Sequence, residues 1–166
     1  FPNGEVRNGF LTLVANDYLH TRKDITPFVY DLSDMLRDCR LDDMRDGMKA
    51  FLASIPYEAN KDVRALDFET HYQYTFYLLF RVLSCYETLI EKQNSHGRAD
   101  IIVEVPDYVY IFEFKLDGSA DEALAQIDAK GYAEPYLTDA RKLYKIGVNI
   151  TTETRTITEW KVVEPK

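Results

Sequence analysis

Cysteine, positive charge and long apolar runs are all scarce in this 166-residue chain. Two cysteines, Cys39 and Cys85, are too few for a disulfide framework and have no metal-ligand spacing. A reduced, cytoplasmic compartment is the expectation that follows. No apolar run approaches 18 residues, so no membrane-spanning helix is expected. The opening Phe1-Pro2-Asn3-Gly4 has neither the basic nor the apolar region of a signal peptide. It also lacks Met, so the chain is expected to come from a longer protein. Twenty Lys and Arg against 28 Asp and Glu leave a net charge of −8. That balance argues against a general nucleic-acid binder, which shows a basic footprint. It leaves room for metal-dependent phosphodiester chemistry, because a cation among clustered carboxylates changes the local field. Strong substrate binding would then need a local basic strip or another domain.

What is present is enough for one globular domain with a full core: 46% apolar and 29% charged residues. The N-terminal part reads as helical. Residues 5–20 place Val6, Phe10, Leu13, Val14 and Tyr18 at helical spacing. Residues 32–39 read as a short helix. Residues 41–55 align Leu41, Met44, Met48, Phe51, Leu52 and Ile55 on one stripe, and Pro56 stops them. These Met and aromatic stripes suit a core rather than a cofactor. Residues 61–83 form the longest apolar helix, with Ala65, Phe68, Tyr72, Phe76, Leu79 and Leu83 inward. Glu69 flanks that stripe, an unusual place for a carboxylate without a partner. The expected division is a helical subregion at 1–60 and a core at 61–166, within one compact domain.

The core is built around residues 97–115, GRADIIVEVPDYVYIFEFK. Two β-prone runs flank the turn residues Pro106-Asp107. A symmetric loop pairs residues whose numbers sum to 213. Val105 then faces Tyr108, Val103 faces Tyr110, Ile101 faces Phe112 and Ala99 faces Phe114, an entirely apolar face. The other face carries Glu104/Val109, Ile102/Ile111, Asp100/Glu113 and Arg98/Lys115. A one-residue slip would turn Asp100 into the aromatic layer, so the pattern guards the register. A three-residue loop with a bulge would stagger the pairs.

Around this hairpin, residues 85–93 read as a strand, with a turn at 94–97. Asp117-Gly118 is a turn, and Ser119 with Glu122 forms a capping box. A helix follows to Lys130, with Leu124 and Ile127 inward and Gly131 as its stop. Residues 143–150 and 155–163 are two further strands. A helix between Lys115 and Leu143 implies a parallel crossover. The fold class is therefore α/β, a sandwich with a mixed central sheet and a helical N-terminal part.

Adjacent carboxylates at Asp100 and Glu113 repel unless a hard divalent cation lies between them. Lys115 on the same face could neutralise the site, orient water or stabilise a phosphate. The plain alternative is a solvated strand face with E-x-K alternation. Val109, Ile111 and Ile102 on that face favour a buried strand end, and we place the functional reading first.

Asp100 followed by Glu113-Phe114-Lys115 resembles the PD-(D/E)XK nuclease superfamily signature. FPNGEVRNGF, FLASIPYE, HYQYTFYLLF, KGYAEPY and IGVNITTETRTITEW extend the likeness over nearly the whole chain. They resemble the nuclease-like domain at the C-terminus of bacterial AAA-ATPase-like proteins. The resemblance implies a restriction-endonuclease-like three-layer sandwich and an upstream AAA-ATPase-like domain in the same polypeptide. It implies Asp100 and Glu113 as metal-binding acids, the Phe114 carbonyl as a further ligand and Lys115 as the catalytic lysine. It implies Mg²⁺ or Mn²⁺ as cofactor and DNA as partner. Glu69 resembles the acid that members place on the preceding helix, and Gln126 the glutamine that exonuclease-like members use. Those members carry Tyr four residues on; here Lys130 stands there, with Tyr132 beyond. Ala99 replaces the proline of the signature.

Arg98 is a candidate phosphate contact, at par with a structural ion pair, and Tyr132 a candidate substrate contact. His96 suits a solvated turn, and His20 and His71 have no partners at ligand spacing. Tyr57 and Trp160 read as packing residues. Two functions remain in play. One is a Mg²⁺- or Mn²⁺-dependent nuclease using metal-activated water. The other is a catalytically silent nuclease-fold module that binds or regulates the attached ATPase-like domain.

Overall fold

The apolar alternation of residues 101–112 is realised as a hairpin. In the computed structural model, β2 spans Ala99–Glu104 and β3 spans Tyr108–Leu116. Their rungs are Ile101–Phe112, Ile102–Ile111, Val103–Tyr110 and Glu104–Val109, the register with numbers summing to 213. The Val105 N–H donates to the Tyr108 carbonyl at 3.0 Å, closing the turn without a stagger. The structure describes residues 4–6, 9, 12–13, 15, 24–55, 75–76, 78–84, 87–93 and 99–164; for 88–93, 99 and 100 it describes the backbone alone. The residues divide into two units, Phe1–Glu87 and Thr88–Lys166. The boundary expected at 60/61 lies outside the described residues.

In the second unit, β1 (Thr88–Gln93), β2, β3, β4 (Lys142–Thr151) and β5 (Thr156–Val163) form one sheet in chain order. β3 and β4 run parallel, and every other neighbouring pair is antiparallel. The two parallel strands are joined through a helix, here called α3 (Ala120–Ala129), as a parallel connection requires. Three strands, one helix and two strands is the order read from the sequence, although β1 begins at Thr88 rather than at residue 85.

β3 is covered on both faces. Its odd-numbered residues meet α3: Val109 and Ile111 pack with Ile102, Leu143 and Ile127, flanked by Leu124, Tyr132, Ala133 and Tyr136. Its even-numbered residues form an aromatic row, with ring centroids 5.9 Å (Tyr108–Tyr110), 6.3 Å (Tyr110–Phe112) and 6.1 Å (Phe112–Phe114) apart. Tyr110 and Phe112 are fully buried. Burial of side chains of this size stabilises by about 1.5–3 kcal/mol each, which makes the register hard to shift. Trp160 on β5 joins the row, its ring 6.2 Å from that of Phe112.

α3 starts where its sequence says. Ser119 accepts from the Glu122 N–H while the Glu122 carboxylate accepts from the Ser119 N–H. Beyond the helix, Gly131 takes φ +65°, the left-handed region that favours glycine. Gly147 on β4 works differently. A Cβ there would lie 2.3 Å from the Ala120 carbonyl oxygen, so only glycine lets α3 settle this close to the sheet.

In the first unit, α1 spans Thr26–Arg37 and α2 spans Leu41–Ser54. α2 buries Leu41, Met44, Met48, Phe51 and Leu52, the stripe expected. α1 begins six residues before the sequence reading put it. Pro27 suits a first helical turn, and Asp24 accepts from both the Thr26 N–H (2.9 Å) and hydroxyl (2.7 Å). Cys39, at φ 54°, turns the chain between α1 and α2. Residues 78–83 are helical, with Leu79 and Leu83 fully buried. Glu87 is buried too; it accepts from the Ser33 hydroxyl and from Arg37 Nε at 2.6 Å.

A candidate active site on the third strand

Strand alternation carries the α3 face of β3 from apolar to charged within one turn of pleat. After Val109 and Ile111 come Glu113, with no exposed surface, and Lys115, 8% exposed. Charged groups this deep are rare unless paired. Lys115 Nζ lies 3.0 Å from Glu113 Oε1 and also donates to Gln126 Oε1 on α3. Gln126 therefore meets Lys115 from the crossover helix.

One atom is left over. Among the described residues, Glu113 Oε2 has no hydrogen-bond partner, and it is buried. An unpaired buried carboxylate oxygen is destabilising by about 1–3 kcal/mol or more, and such an atom asks for an explanation. A hard divalent cation is a fitting one: it takes carboxylate oxygens as ligands and would balance the second oxygen as Lys115 balances the first. Phe114 lies between Glu113 and Lys115 on β3.

The remaining candidates are only partly in view. Asp100 lies on β2, backbone opposite Lys92, directly before the Ile101–Phe112 rung. Its side chain, and all of Glu69 and Arg98, lie outside the described residues, as do His20, Tyr57, His71 and His96. Tyr132 is half-buried against the apolar cluster under α3. Among the described residues no three His, Cys, Asp or Glu side chains converge as a ready metal cage.

Three residues around these groups, Asn149, Glu159 and Gly147, were not singled out from the sequence. Asn149, 3% exposed, is the β4 rung partner of Lys115. Its Oδ1 accepts from the Gly118 N–H at 2.9 Å and its Nδ2 donates to Thr158 Oγ1 at 3.1 Å. Glu159 Oε2 accepts from the Ala120 N–H at 2.8 Å, at the first turn of α3. Gly147 and Gly118 supply space. A Cβ on Gly118 would come within 3.3 Å of the Lys115 Cβ. An asparagine and a glycine inside the apolar run KIGVNI were the available signal.

Glu104, on the same face by alternation, is already satisfied. It accepts from the Tyr136 hydroxyl at 3.1 Å and lies 2.9 Å from Arg141 Nη2, which also holds Asp139 at 2.6 Å. The Arg141 guanidinium holds the Asp139 carboxyl down at about 2. Burial, then the Glu104 charge, pushes the Tyr136 hydroxyl above its ordinary value.

A family model described as the PD-(D/E)XK nuclease superfamily matches residues 67–160, more than half of the chain. The chain belongs to this superfamily. Asp100, Glu113, Lys115, Gln126, Asn149 and Glu159 all lie inside the matched segment. PD-(D/E)XK nucleases generally use divalent metals, in keeping with the donor set at Glu113. A curated relative, the uncharacterized protein in the vnfD 5′ region of Azotobacter chroococcum mcd 1, is 29% identical over 159 residues. The match covers 95% of this chain and 31% of the relative, so the chain spans about a third of that protein's length. No solved structure matches. No helix among the described residues is long and apolar enough to cross a membrane.

Proposed function

We propose that this PD-(D/E)XK domain is a divalent-metal-dependent nuclease that hydrolyses DNA phosphodiester bonds. The observation that carries the reading is the buried Glu113 Oε2, unpartnered among the described residues, beside the Glu113–Lys115–Gln126 chain of contacts. Asp100, Glu113 and the Phe114 carbonyl would hold Mg²⁺ or Mn²⁺, and Glu69 would reach the ion or its waters. Such an ion, when bound, activates water and draws charge from a phosphate oxygen. Lys115 supplies a fixed positive charge beside the scissile phosphate, held on one side by Glu113 and on the other by Gln126. Arg98 is proposed as a phosphate contact; Tyr132, packed against the core, is the weaker substrate contact. The scarcity of cysteine accords with a cytoplasmic setting.

The test is cleavage of plasmid and single-stranded DNA with Mg²⁺ or Mn²⁺, beside Glu113→Ala and Lys115→Ala. Wild type should cleave and both variants should lose at least about a hundredfold in rate. Equal residual activity in all three sinks the reading.

A second reading rests on the −8 net charge and on the match to about a third of a longer relative. In it the domain is a silent module that binds or regulates an upstream AAA-ATPase-like domain. Calorimetric titration with Mg²⁺ separates the two. Cation binding abolished by Asp100→Asn favours the nuclease, and its absence in wild type favours the module.

A further inference from the structure

Lys115, Asn149 and Glu159 lie on one transverse row of the sheet: Lys115 pairs with Asn149 across β3–β4, and Asn149 with Glu159 across β4–β5. Each of the last two reaches out of the sheet toward the start of α3. Asn149 is a buried amide on β4 at the rung of Lys115, a position that is unfavourable unless its polar atoms are satisfied. Its carbonyl oxygen accepts the Gly118 N–H, and its amide donates to Thr158. Gly118 lies against the Lys115 side-chain stem and directly precedes the helix N-cap. Glu159 caps the Ala120 N–H from β5, 39 residues away in sequence. That contact adds to the helix's own capping box, so it is not needed to start the helix; what it adds is the location of the helix on the sheet. Location is what Gln126 requires, because a helix is stiff over two turns and moving its start moves the residue that meets Lys115.

We infer that Asn149 and Glu159 are positioning residues for Lys115: they fix the β3–α3 turn and the first turn of α3 so that Lys115 is held between Glu113 and Gln126. This rests on the nuclease reading for its functional meaning, and on the contacts alone for its structural one. Neither residue needs to touch substrate. A displacement of a catalytic group by about 1 Å is enough to slow chemistry by about a hundredfold.

The experiment uses the full 166-residue chain with ¹³Cε-labelled lysine, without metal, the Lys115 signal being assigned by its loss in Lys115→Arg. Asn149→Ala and Glu159→Ala should each move that signal toward those of exposed lysines. Glu159→Gln, which keeps the acceptor for the Ala120 N–H, should restore it. In plasmid cleavage with Mn²⁺, both alanine variants should lose about tenfold or more in kcat with KM unchanged, and Glu159→Gln should recover most of the loss. If Asn149→Ala does not fold, Glu159→Ala, at a half-buried site, decides. Folded alanine variants with an unmoved Lys115 signal overturn the inference, as does Glu159→Gln behaving like Glu159→Ala. Absence of cleavage in wild type defeats the nuclease reading instead, and the lysine signal still decides the positioning.

Discussion

Lys115 and Gln126, eleven residues apart in sequence, meet between β3 and α3, and Glu113 joins them 3.0 Å from the lysine nitrogen. The contact links a strand chosen by its apolar pattern to a helix placed by a glycine, Gly147, and by the capping carboxylate of Glu159. A buried ion pair of this kind contributes little net stability, since desolvation of both charges offsets their attraction. Its value lies in holding the ammonium in one place.

Breaking the pair on one side should therefore be far worse than removing both partners. Lys115→Met leaves a buried Glu113 with neither oxygen balanced and is expected to destabilise the metal-free protein by about 3–5 kcal/mol. The double variant Lys115→Met/Glu113→Leu should recover most of that loss. Urea denaturation of the two variants checks the order; a double variant as weak as the single one would show that the carboxylate's burial is not the cause.

Gly147→Ala tests the close approach of α3. The added methyl would stand 2.3 Å from the Ala120 carbonyl oxygen and 3.0 Å from Leu124 Cγ, so the helix must shift. A loss of about 1–3 kcal/mol is expected from the overpacking. The same shift should draw Gln126 away from Lys115 and lower nuclease activity more than Gly147→Ala lowers stability at the assay temperature. Thermal melts and single-turnover cleavage measured side by side decide this.

The legible part of the molecule was the part governed by local pattern. The 101–112 register followed from an apolar face that a slip would destroy, and the α3 start followed from Ser119 and Glu122. α1 began early because Asp24 and Pro27 outweighed a weak periodicity. Asn149 and Glu159 stayed silent for a different reason. Their partners are 31 and 39 residues distant, and nothing in a strand's own sequence says which helix N–H its side chain will meet. Gln126 was found only through a family likeness; its meeting with Lys115 depends on helix placement that periodicity does not encode.

Acid stability should carry the mark of the Asp139–Arg141 pair. Asp139 titrates near 2 in the folded protein against an ordinary value of 3.8, a depressed carboxylate. Its contribution is thus complete above about pH 4 and lost as pH falls through about 2. Asp139→Asn removes that contribution, so its stability should fall less steeply than wild type between those limits. Circular-dichroism melts at stepped pH read the difference, and parallel curves would refute the assignment.

Cation binding gives the most direct check on Glu113 Oε2. A ligand that binds only the folded state at a hundred times its Kd stabilises by about 2.7 kcal/mol. For a chain of this size that corresponds to a rise in Tm of about 5–10 °C. Mg²⁺ or Mn²⁺ should produce such a rise in wild type, and a chelator should reverse it. Glu113→Gln, which keeps the shape but not the charge, should respond weakly. Lys115→Met should respond more strongly than wild type, because the cation then becomes the main counter-charge for a carboxylate that has lost its ammonium partner. Equal shifts in wild type and Glu113→Gln would place the cation elsewhere on this acidic surface and leave the orphaned oxygen unexplained.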